Sequence, residues 1–503
     1  MPDGIRKVLI ANRGEIAIRV IQACREMGIS TAAVYSEADR HSPHVSMADS
    51  AHCIGPPPVS ESYLCLDSIL DAAKRAGGDA IHPGYGFLSE NADFAKACED
   101  AGIHFIGPPS NVIRALGDKI AAKRIMESAG VPVVPGYFGD DQSDPLLQKE
   151  ADSVGYPLLI KAAAGGGGRG MRRVESAASF PSSLDEARRE AQAGFGDSRV
   201  LLERYIERPR HVELQIFGDT HGNVIHLFER ECSIQRRHQK IVEESPSPVL
   251  TPELRAGMAQ AAVAAGKAAG YVNAGTVEFL LEERQDGDHR FYFMEVNTRL
   301  QVEHPVTEMI TGIDLVKLQI RVAAGEPIPF AQEQVHASGH AIEVRIYAED
   351  PESGFLPSTG RLEHWIPPTG PWVRVDSGVE RGAEVSPFYD PMLAKLIVRG
   401  EDREETIARI ERALTDFHVL GVKTNIPYLL DIVRDPGFRA GQTHTGFLAE
   451  RFPAWTPSAG IPTQVLFALA AESALAKPKK ADALDSTESD PFNPWRLAGA
   501  WRN

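Results

Sequence analysis

Residues 275 to 304 read GTVEFLLEERQDGDHRFYFMEVNTRLQVEH. Two apolar runs rich in β-branched and aromatic residues flank Asp286-Gly287, a dipeptide favoured in type I′ hairpin turns, so the segment predicts two antiparallel strands. With those residues at the centre of the turn, Glu278 falls directly opposite Glu295. Opposed residues have Cβ atoms about 5 Å apart, and at an effective dielectric of about 20 two carboxylates there repel by roughly 3 kcal/mol. A cation or a proton has to lie between them, and two hard oxygen donors suit Mg²⁺ or Mn²⁺. Past Glu295 the alternation continues, with Asn297, Arg299, Gln301 and Glu303 on the same parity. A strand of period two sets all five polar side chains on one face. Alternating polar residues more often line a solvated sheet face. The shared parity with the carboxylate pair and the abrupt end at Gln-Val-Glu-His-Pro favour a site instead.

Upstream, IKAAAGGGGRGMRRV (160 to 174) carries four consecutive glycines between Lys161 and Arg169. Gly165, Gly167 and Gly170 formally satisfy G-x-G-x-x-G, but a dinucleotide site needs a helix directly after the loop. Here YPLLIKA and GMRRV read as strands on either side. Strand, glycine loop and strand make a flap of the kind that covers phosphates, with a plain flexible hairpin tip as the alternative.

The N-terminal pattern KVLIANRGEIAIRVIQACREMGISTAAVYS gives strand, amphipathic helix and strand, a βαβ unit, and alternation persists through DAIHPGYGFLSENADFAKACEDAGIHFIGP. A Rossmann-like, doubly wound domain over 1–115 follows. Its first loop has a single glycine and is no dinucleotide site. Residues 116–330 hold the flap and most of the polar chemistry, with a lid over about 133–205. Residues 331–450 mix strands with the helical pattern REETIARIERALTDF. In 451–503, VLFALAAESALA reads as one helix before a polar, charge-rich linker. The expected fold is α/β and α+β multidomain.

The 503 residues are 43% hydrophobic and 24% charged, enough for about three domains. A formal net charge of −16 argues against nucleic acid or an anionic membrane as main partner, so anionic ligands need local basic clusters. Five cysteines without C-x-x-C spacing point to buried, reduced thiols. With neither a signal-peptide pattern nor a transmembrane-length apolar run, a cytoplasmic location is expected.

The strings IANRGEIAIR, IHPGYGFLSEN, GDKIAAK, GGGGRGM, ERPRHVELQIFGD, ERECSIQRRHQK, GTVEFL, MEVNTRLQVEHPVTEMITG and YDPMLAKLIVRG together resemble the biotin carboxylase family of the ATP-grasp superfamily, over about residues 4 to 450. The resemblance implies an ATP-grasp domain with a glycine-rich lid between the N-terminal domain and a mixed α+β C-terminal domain. It also implies that ATP and bicarbonate form carboxyphosphate, with the carboxyl group then passing to biotin on a carrier protein.

Carried over residue by residue, the resemblance makes Lys119 and Lys161 the ATP-phosphate lysines and Gly165, Gly166, Gly167 and Gly168 the lid loop. Glu203, Arg204 and Ile206 match the adenine hinge, and His211, Gln235 and His238 the ribose and phosphate neighbours. Glu278, Glu295 and Asn297 match the metal site for Mg²⁺ or Mn²⁺. Lys240, Arg299, Gln301 and Val302 resemble the bicarbonate pocket, Glu303 the general base, and Arg345 the residue that stabilises enolised biotin. Any one of these alone would more often be a surface charge or a satisfied polar group; their joint occurrence in order carries the assignment.

Arg204 stands where some relatives carry lysine, and Ala163 and Ala164 where some carry serine or glycine. No Met-Lys-Met occurs, so biotin is expected on a carrier outside this chain, either a separate polypeptide or a domain from which the chain was cut, and DPFNPWRLAGAWRN is similar to the stretch before the docking region of acyl-CoA carboxylase α subunits, with Trp495 and Trp501 as candidate anchors. The expected partners are a biotin carboxyl carrier, a second copy of the chain and a carboxyltransferase subunit. The competing readings are another ATP-grasp ligase that activates a carboxylate and a non-catalytic nucleotide-binding subunit. NTRLQVEHPVTE and Arg345 disfavour the former, and the complete set Lys240, Glu303 and Arg345 the latter.

Overall fold

The computed structural model describes residues 4–165, 170–283, 288–457 and 471. Gly166, Gly167 and Gly168 of the lid, the Asp286-Gly287 turn, the VLFALAAESALA helix, Trp495 and Trp501 lie outside the described residues. Contacts divide the chain into a unit ending at Trp455 and a second unit, of which only Thr456, Pro457 and Ala471 are described.

Strands β1 (Lys7–Ile10), β2 (Ser30–Ser36), β3 (Ser50–Gly55), β4 (Ala80–His82) and β5 (His104–Phe105) form a parallel sheet in the order β3-β2-β1-β4-β5. The crossovers are α1 (Gly14–Glu26), α2 (Pro43–Met47), α3 (Leu66–Ala76) and α4 (Ala92–Asp100). Val8, Leu9 and Ile10 are fully buried, as expected for a strand covered on both faces. This is the doubly wound domain the alternation predicts. Helices α5 (Ser110–Gly117) and α6 (Lys119–Ser128) lead out of it, and the Asp118 side chain caps the latter by accepting from the Ala121 N–H.

The strands expected on either side of the glycine run also form. A four-stranded antiparallel sheet, β6 (Gly136–Tyr137), β9 (Val200–Arg204), β7 (Leu158–Ala162) and β8 (Met171–Val174) in spatial order, is backed by α7 (Asp144–Val154) and α8 (Phe180–Phe195) around Leu158, Ile160, Leu184 and Leu202. The glycine run joins β7 to β8. Gly165 has φ +89, and a Cβ there would lie 2.3 Å from the Phe195 ring, so this position requires glycine on two counts.

Strands β10 (Arg210–Gly218), β11 (Val224–Arg236), β12 (Gln239–Ser245), β13 (Asn273–Glu283), β14 (His289–Asn297), β15 (His340–Tyr347), β16 (Val373–Ser377) and β17 (Met392–Gly400) make one eight-stranded sheet. Its order is β14-β13-β10-β11-β12-β15-β17-β16. The strands of the C-terminal region therefore continue the sheet begun in the glycine-flap region, with β15 paired to β12. Helix α9 (Pro252–Ala268) covers β10 and β11, α10 (His304–Thr311) and α11 (Leu315–Ala323) follow β14, and α12 (Arg403–Thr415) packs on β15 and β17.

The hairpin of β13 and β14 corrects the sequence argument in two ways. Near its tip Leu281 pairs with Phe291, one residue out from the partner that a two-residue turn requires. Met294 then forms a β-bulge between Phe293 and Glu295, and the extra residue restores Glu278 opposite Glu295. The predicted pair is real, but a bulge rather than the turn sets its register. Second, the strand does not run on to Glu303: β14 stops at Asn297, and Arg299, Gln301 and Glu303 lie on the loop before α10, with Glu303 at its N-cap. Pro305 at the start of that helix has no N–H for a ladder, which fits the change of structure there. Of the thiols expected to be buried, Cys24, Cys98 and Cys232 are, whereas Cys53 and Cys65 are partly exposed.

Candidate active site

Adjacent strands of the central sheet place a row of charges side by side. Arg230 on β11 pairs with Glu213 on β10, Glu213 with Glu278 on β13, and Glu278 with Glu295 on β14. Cross-strand neighbours on one face are close enough to interact, so three carboxylates in a row are unfavourable without cations. Two cations, one buried and one partly buried, meet that need. Arg230, fully buried, donates to Glu213 Oε1 at 2.6 Å, and Lys240 Nζ donates to Glu213 Oε2 at 2.5 Å, Glu278 Oε1 at 2.8 Å and Glu303 Oε1 at 2.7 Å. The Lys240 ammonium is thereby held well above its ordinary range by three surrounding carboxylates, against the opposing effect of burial.

Glu303 is fully buried where β14 gives way to α10. Its second oxygen, Oε2, accepts from Arg345 Nη2 at 3.0 Å, while Arg345 Nε donates to Glu243 Oε1 at 2.7 Å. Burial alone would raise the Glu303 carboxyl; Lys240, Arg345 and Arg230 more than offset it and hold the group well below the ordinary carboxylate range. The main chain on either side is pinned as well. Lys395 on β17, fully buried, donates to the Val302 carbonyl at 2.7 Å, and the Gln301 carbonyl lies 2.8 Å from His304 Nδ1. Arg299 reaches the same pocket, donating to Gln301 Oε1 at 2.8 Å and Asn297 Oδ1 at 3.1 Å, and is anchored by Glu90 at 2.9 Å.

At the other end of the row, burial and the neighbouring Glu278 charge raise the Glu295 carboxyl, opposed by Lys119 and Lys161. Glu278 is held low by Lys240 and by His211, whose Nε2 lies 3.1 Å from Glu278 Oε2. Gln235 Nε2 donates to His211 Nδ1 at 2.7 Å. The Asn297 Nδ2 is buried without a hydrogen-bond partner among the described residues. Opposed hard oxygens, one of them raised by its neighbour's charge, fit a divalent cation.

Towards the lid, Glu203 lies between two lysines, 2.8 Å from Lys123 Nζ and 2.5 Å from Lys161 Nζ. These hold its buried carboxyl down to about 2. Arg204 turns away to a two-point ion pair with Glu282 at 2.8 and 2.9 Å, Ile206 is buried, and Lys119 donates to the Gly165 carbonyl. His238 is exposed in the β11–β12 turn with φ +66.

Most of the described residues singled out in the sequence thus come together on the central sheet, at the start of α10 and beside the glycine run, whereas Arg204 turns away to Glu282 and His238 stays exposed in its turn. Several members of the network escaped the sequence reading: Glu213, Arg230, Glu243, Glu343, Lys123, Lys395 and Glu90. Glu213 and Arg230 sit in HVELQIFG and LFERECSI, charged residues inside strong strand patterns, and a buried charge in such a run was the available signal. Lys395 and Glu90 stand in the strings YDPMLAKLIVRG and IHPGYGFLSEN, but their partners are distant in sequence and no local pattern shows the contact.

The sequence matches three families, described as "Biotin carboxylase, N-terminal domain" over residues 4–113, "Carbamoyl-phosphate synthase L chain, ATP binding domain" over 118–331 and "Biotin carboxylase C-terminal domain" over 343–450. It is 54% identical over 500 residues to the α subunit of mitochondrial methylcrotonoyl-CoA carboxylase from Dictyostelium discoideum, covering 99% of this chain and 70% of that protein. It is 53% identical over 449 residues to the biotin carboxylase of Halalkalibacterium halodurans, covering 88% of this chain and 97% of that one. Among solved structures, the biotin carboxylase domain dimer of Hydrogenobacter thermophilus 2-oxoglutarate carboxylase, in complex with MgADP, ADP and bicarbonate, superposes with a TM-score of 0.86 at 48% identity. That match covers 91% of this chain and all of the other.

Proposed function

This chain belongs to the biotin carboxylase family, and on that footing we propose that the network around Glu303 is the centre at which it carboxylates biotin. The enzyme is an ATP-dependent ligase of the ATP-grasp type: ATP and bicarbonate yield carboxyphosphate, and the carboxyl group passes to biotin on a carrier. The observation that carries the residue assignment is that the buried Glu303 carboxylate is held between Lys240 and Arg345.

Bicarbonate is a weak nucleophile and needs a base to take its proton and cations to hold its charge. Glu303 is the base; Lys240, Arg299, Gln301 and the Val302 main chain hold the anion. In the resting network the base is masked, because two cations stabilise its ionised form. An incoming bicarbonate draws on Lys240 and Arg299, and the Lys240 donor withdrawn from Glu303 makes that carboxylate more basic. Arg345 faces biotin and stabilises the negative charge of its enolised ureido oxygen. Lys119, Lys161, Gly165 to Gly168, His211, Gln235 and His238 line the nucleotide, with the Glu203 to Ile206 segment at the adenine; the Glu203 side chain orders Lys161. Glu278, Glu295 and Asn297 would hold Mg²⁺ or Mn²⁺, which would neutralise phosphate charge.

We assign the chain to an acyl-CoA carboxylase of the methylcrotonoyl type. The support is that similarity to that α subunit extends over 500 residues, whereas similarity to the Halalkalibacterium halodurans biotin carboxylase extends over 449. The partners in this reading are a biotinylated carrier, a second copy of the chain and a carboxyltransferase subunit; the location is cytoplasmic. Among the described residues no helix is long and apolar enough to cross a membrane.

ADP release by the purified chain with Mg²⁺ and ATP tests the core of the proposal. Bicarbonate-dependent turnover accelerated by free biotin is expected; turnover indifferent to both would refute it. With carrier and carboxyltransferase added, methylcrotonoyl-CoA is expected to outcompete acetyl-CoA, propionyl-CoA and pyruvate as acceptor.

A further inference from the structure

One buried carboxyl beside this centre has no part in the chemistry above. Glu343 lies on β15 two residues before Arg345 and is fully buried, and neither of its oxygens has a hydrogen-bond partner among the described residues. Directly opposite it on β12 is Glu243, also fully buried. Glu243 Oε1 accepts from Arg345 at 2.7 Å, while its Oε2 has no partner among the described residues. Two buried carboxyls thus face each other across a strand pair with three oxygens unsatisfied.

The charged groups around Glu343 are Glu243 on β12, Arg345 on its own strand, Lys395 on β17, and Glu303 at the start of α10, beside His304. Neither cation donates to Glu343. Arg345 donates to Glu243 and Glu303, and Lys395 to the Val302 carbonyl, with Glu15 3.4 Å away. A buried carboxylate without a donor is costly, and two opposed ones do not both stay ionised. A proton shared between them satisfies both residues at once.

We propose that Glu243 and Glu343 form a carboxyl pair sharing one proton, and that this pair positions Arg345 for biotin. Glu343 carries the proton and gives it as a hydrogen bond to Glu243 Oε2, leaving Oε1 to hold the guanidinium. One negative charge, rather than two, then stands behind Arg345. The guanidinium is fixed in place without being drawn away from Glu303 and the substrate. Burial acts in the same direction, pushing Glu243 up to about 7 and Glu343 well above the ordinary carboxylate range.

The inference rests on the role given to Arg345, and its test separates the two. In the full chain, E343A removes the donor and E343Q replaces it with an amide N–H. E343A is expected to lower kcat/KM for free biotin about tenfold, the equivalent of one charge-assisted hydrogen bond, with KM for ATP unchanged. E343Q is expected to restore most of that loss and to keep activity at alkaline pH where the wild type declines. Infrared difference spectra provide a readout independent of activity: the wild type at neutral pH should show the carbonyl stretch of a protonated buried carboxyl, and E343Q should lack it. Equal losses in E343A and E343Q, no loss in either, or no protonated-carboxyl band would each overturn the pair. If wild-type ADP release ignores biotin, the role of Arg345 fails instead, and the infrared band still decides whether the proton is shared.

Discussion

Glu303 and Arg345 meet in a buried contact, Nη2 to Oε2 at 3.0 Å, while Lys240 takes the other carboxylate oxygen at 2.7 Å. One carboxylate therefore ties β12, β15 and the start of α10 together at the point proposed for deprotonation of bicarbonate. Glu303→Gln keeps the size of the side chain and removes the base. Turnover is expected to fall by about 10²–10⁴-fold, the usual contribution of a general base. Nucleotide affinity, measured separately by titration, should change little, and a variant that turned over at the wild-type rate would sink the assignment.

Glu203 between Lys123 and Lys161 ties α6 to β7 and β9 in the lid region. Its carboxyl is held down to about 2, below the ordinary value, so its contribution to stability is fully present above the unfolded value and is lost as the pH falls towards 2. Glu203→Gln leaves two buried ammonium groups without their anion, and breaking such a buried pair costs about 3–5 kcal/mol. A lower melting temperature at neutral pH is expected, with the gap to wild type closing on acidification. A gap that held constant down to acid pH would contradict the argument.

The glycine run is constrained as well as permissive. Gly165→Ala puts a methyl against the Phe195 ring in a backbone conformation that favours glycine. Such strain costs about 1–3 kcal/mol. The expected consequence is a raised KM for ATP while biotin KM stays near wild type. Unchanged ATP kinetics would mean that the loop relaxes freely around the added methyl.

Glu295 is raised by burial and by the Glu278 charge opposite it, which a divalent cation relieves. Glu295→Gln removes one of the two opposed donors. The Mg²⁺ concentration needed for half-maximal turnover is expected to rise by at least roughly 10–100-fold, the range seen when even outer partners of a metal site are lost. Titrating Mg²⁺ at fixed nucleotide measures this directly, and an unaltered requirement would move the metal elsewhere.

Much of this molecule was legible in the chain. Alternating strand and helix patterns gave the parallel N-terminal sheet, because period two and period 3.6 are local properties. The flap was legible for the same reason, two short strands flanking glycines. The Glu278–Glu295 pair was reached by an argument that was right about the face and the partner but missed the bulge, since Met294 bulges out and sets the register. Nothing local marks the position at which a strand takes up an extra residue.

The sequence by itself determined which residue types stand in which order, and hence the strands, the lid and the motifs that carry the family's chemistry. The tertiary structure decided how their charges are balanced. Glu213 and Arg230 became partners because β10 pairs with β11, Lys395 reached Val302 because β17 extends the same sheet, and Glu343 came to face Glu243 because β15 pairs with β12. Electrostatic energy depends on distance and burial, and residues 93 or 100 positions apart acquire both only when the sheet closes around them.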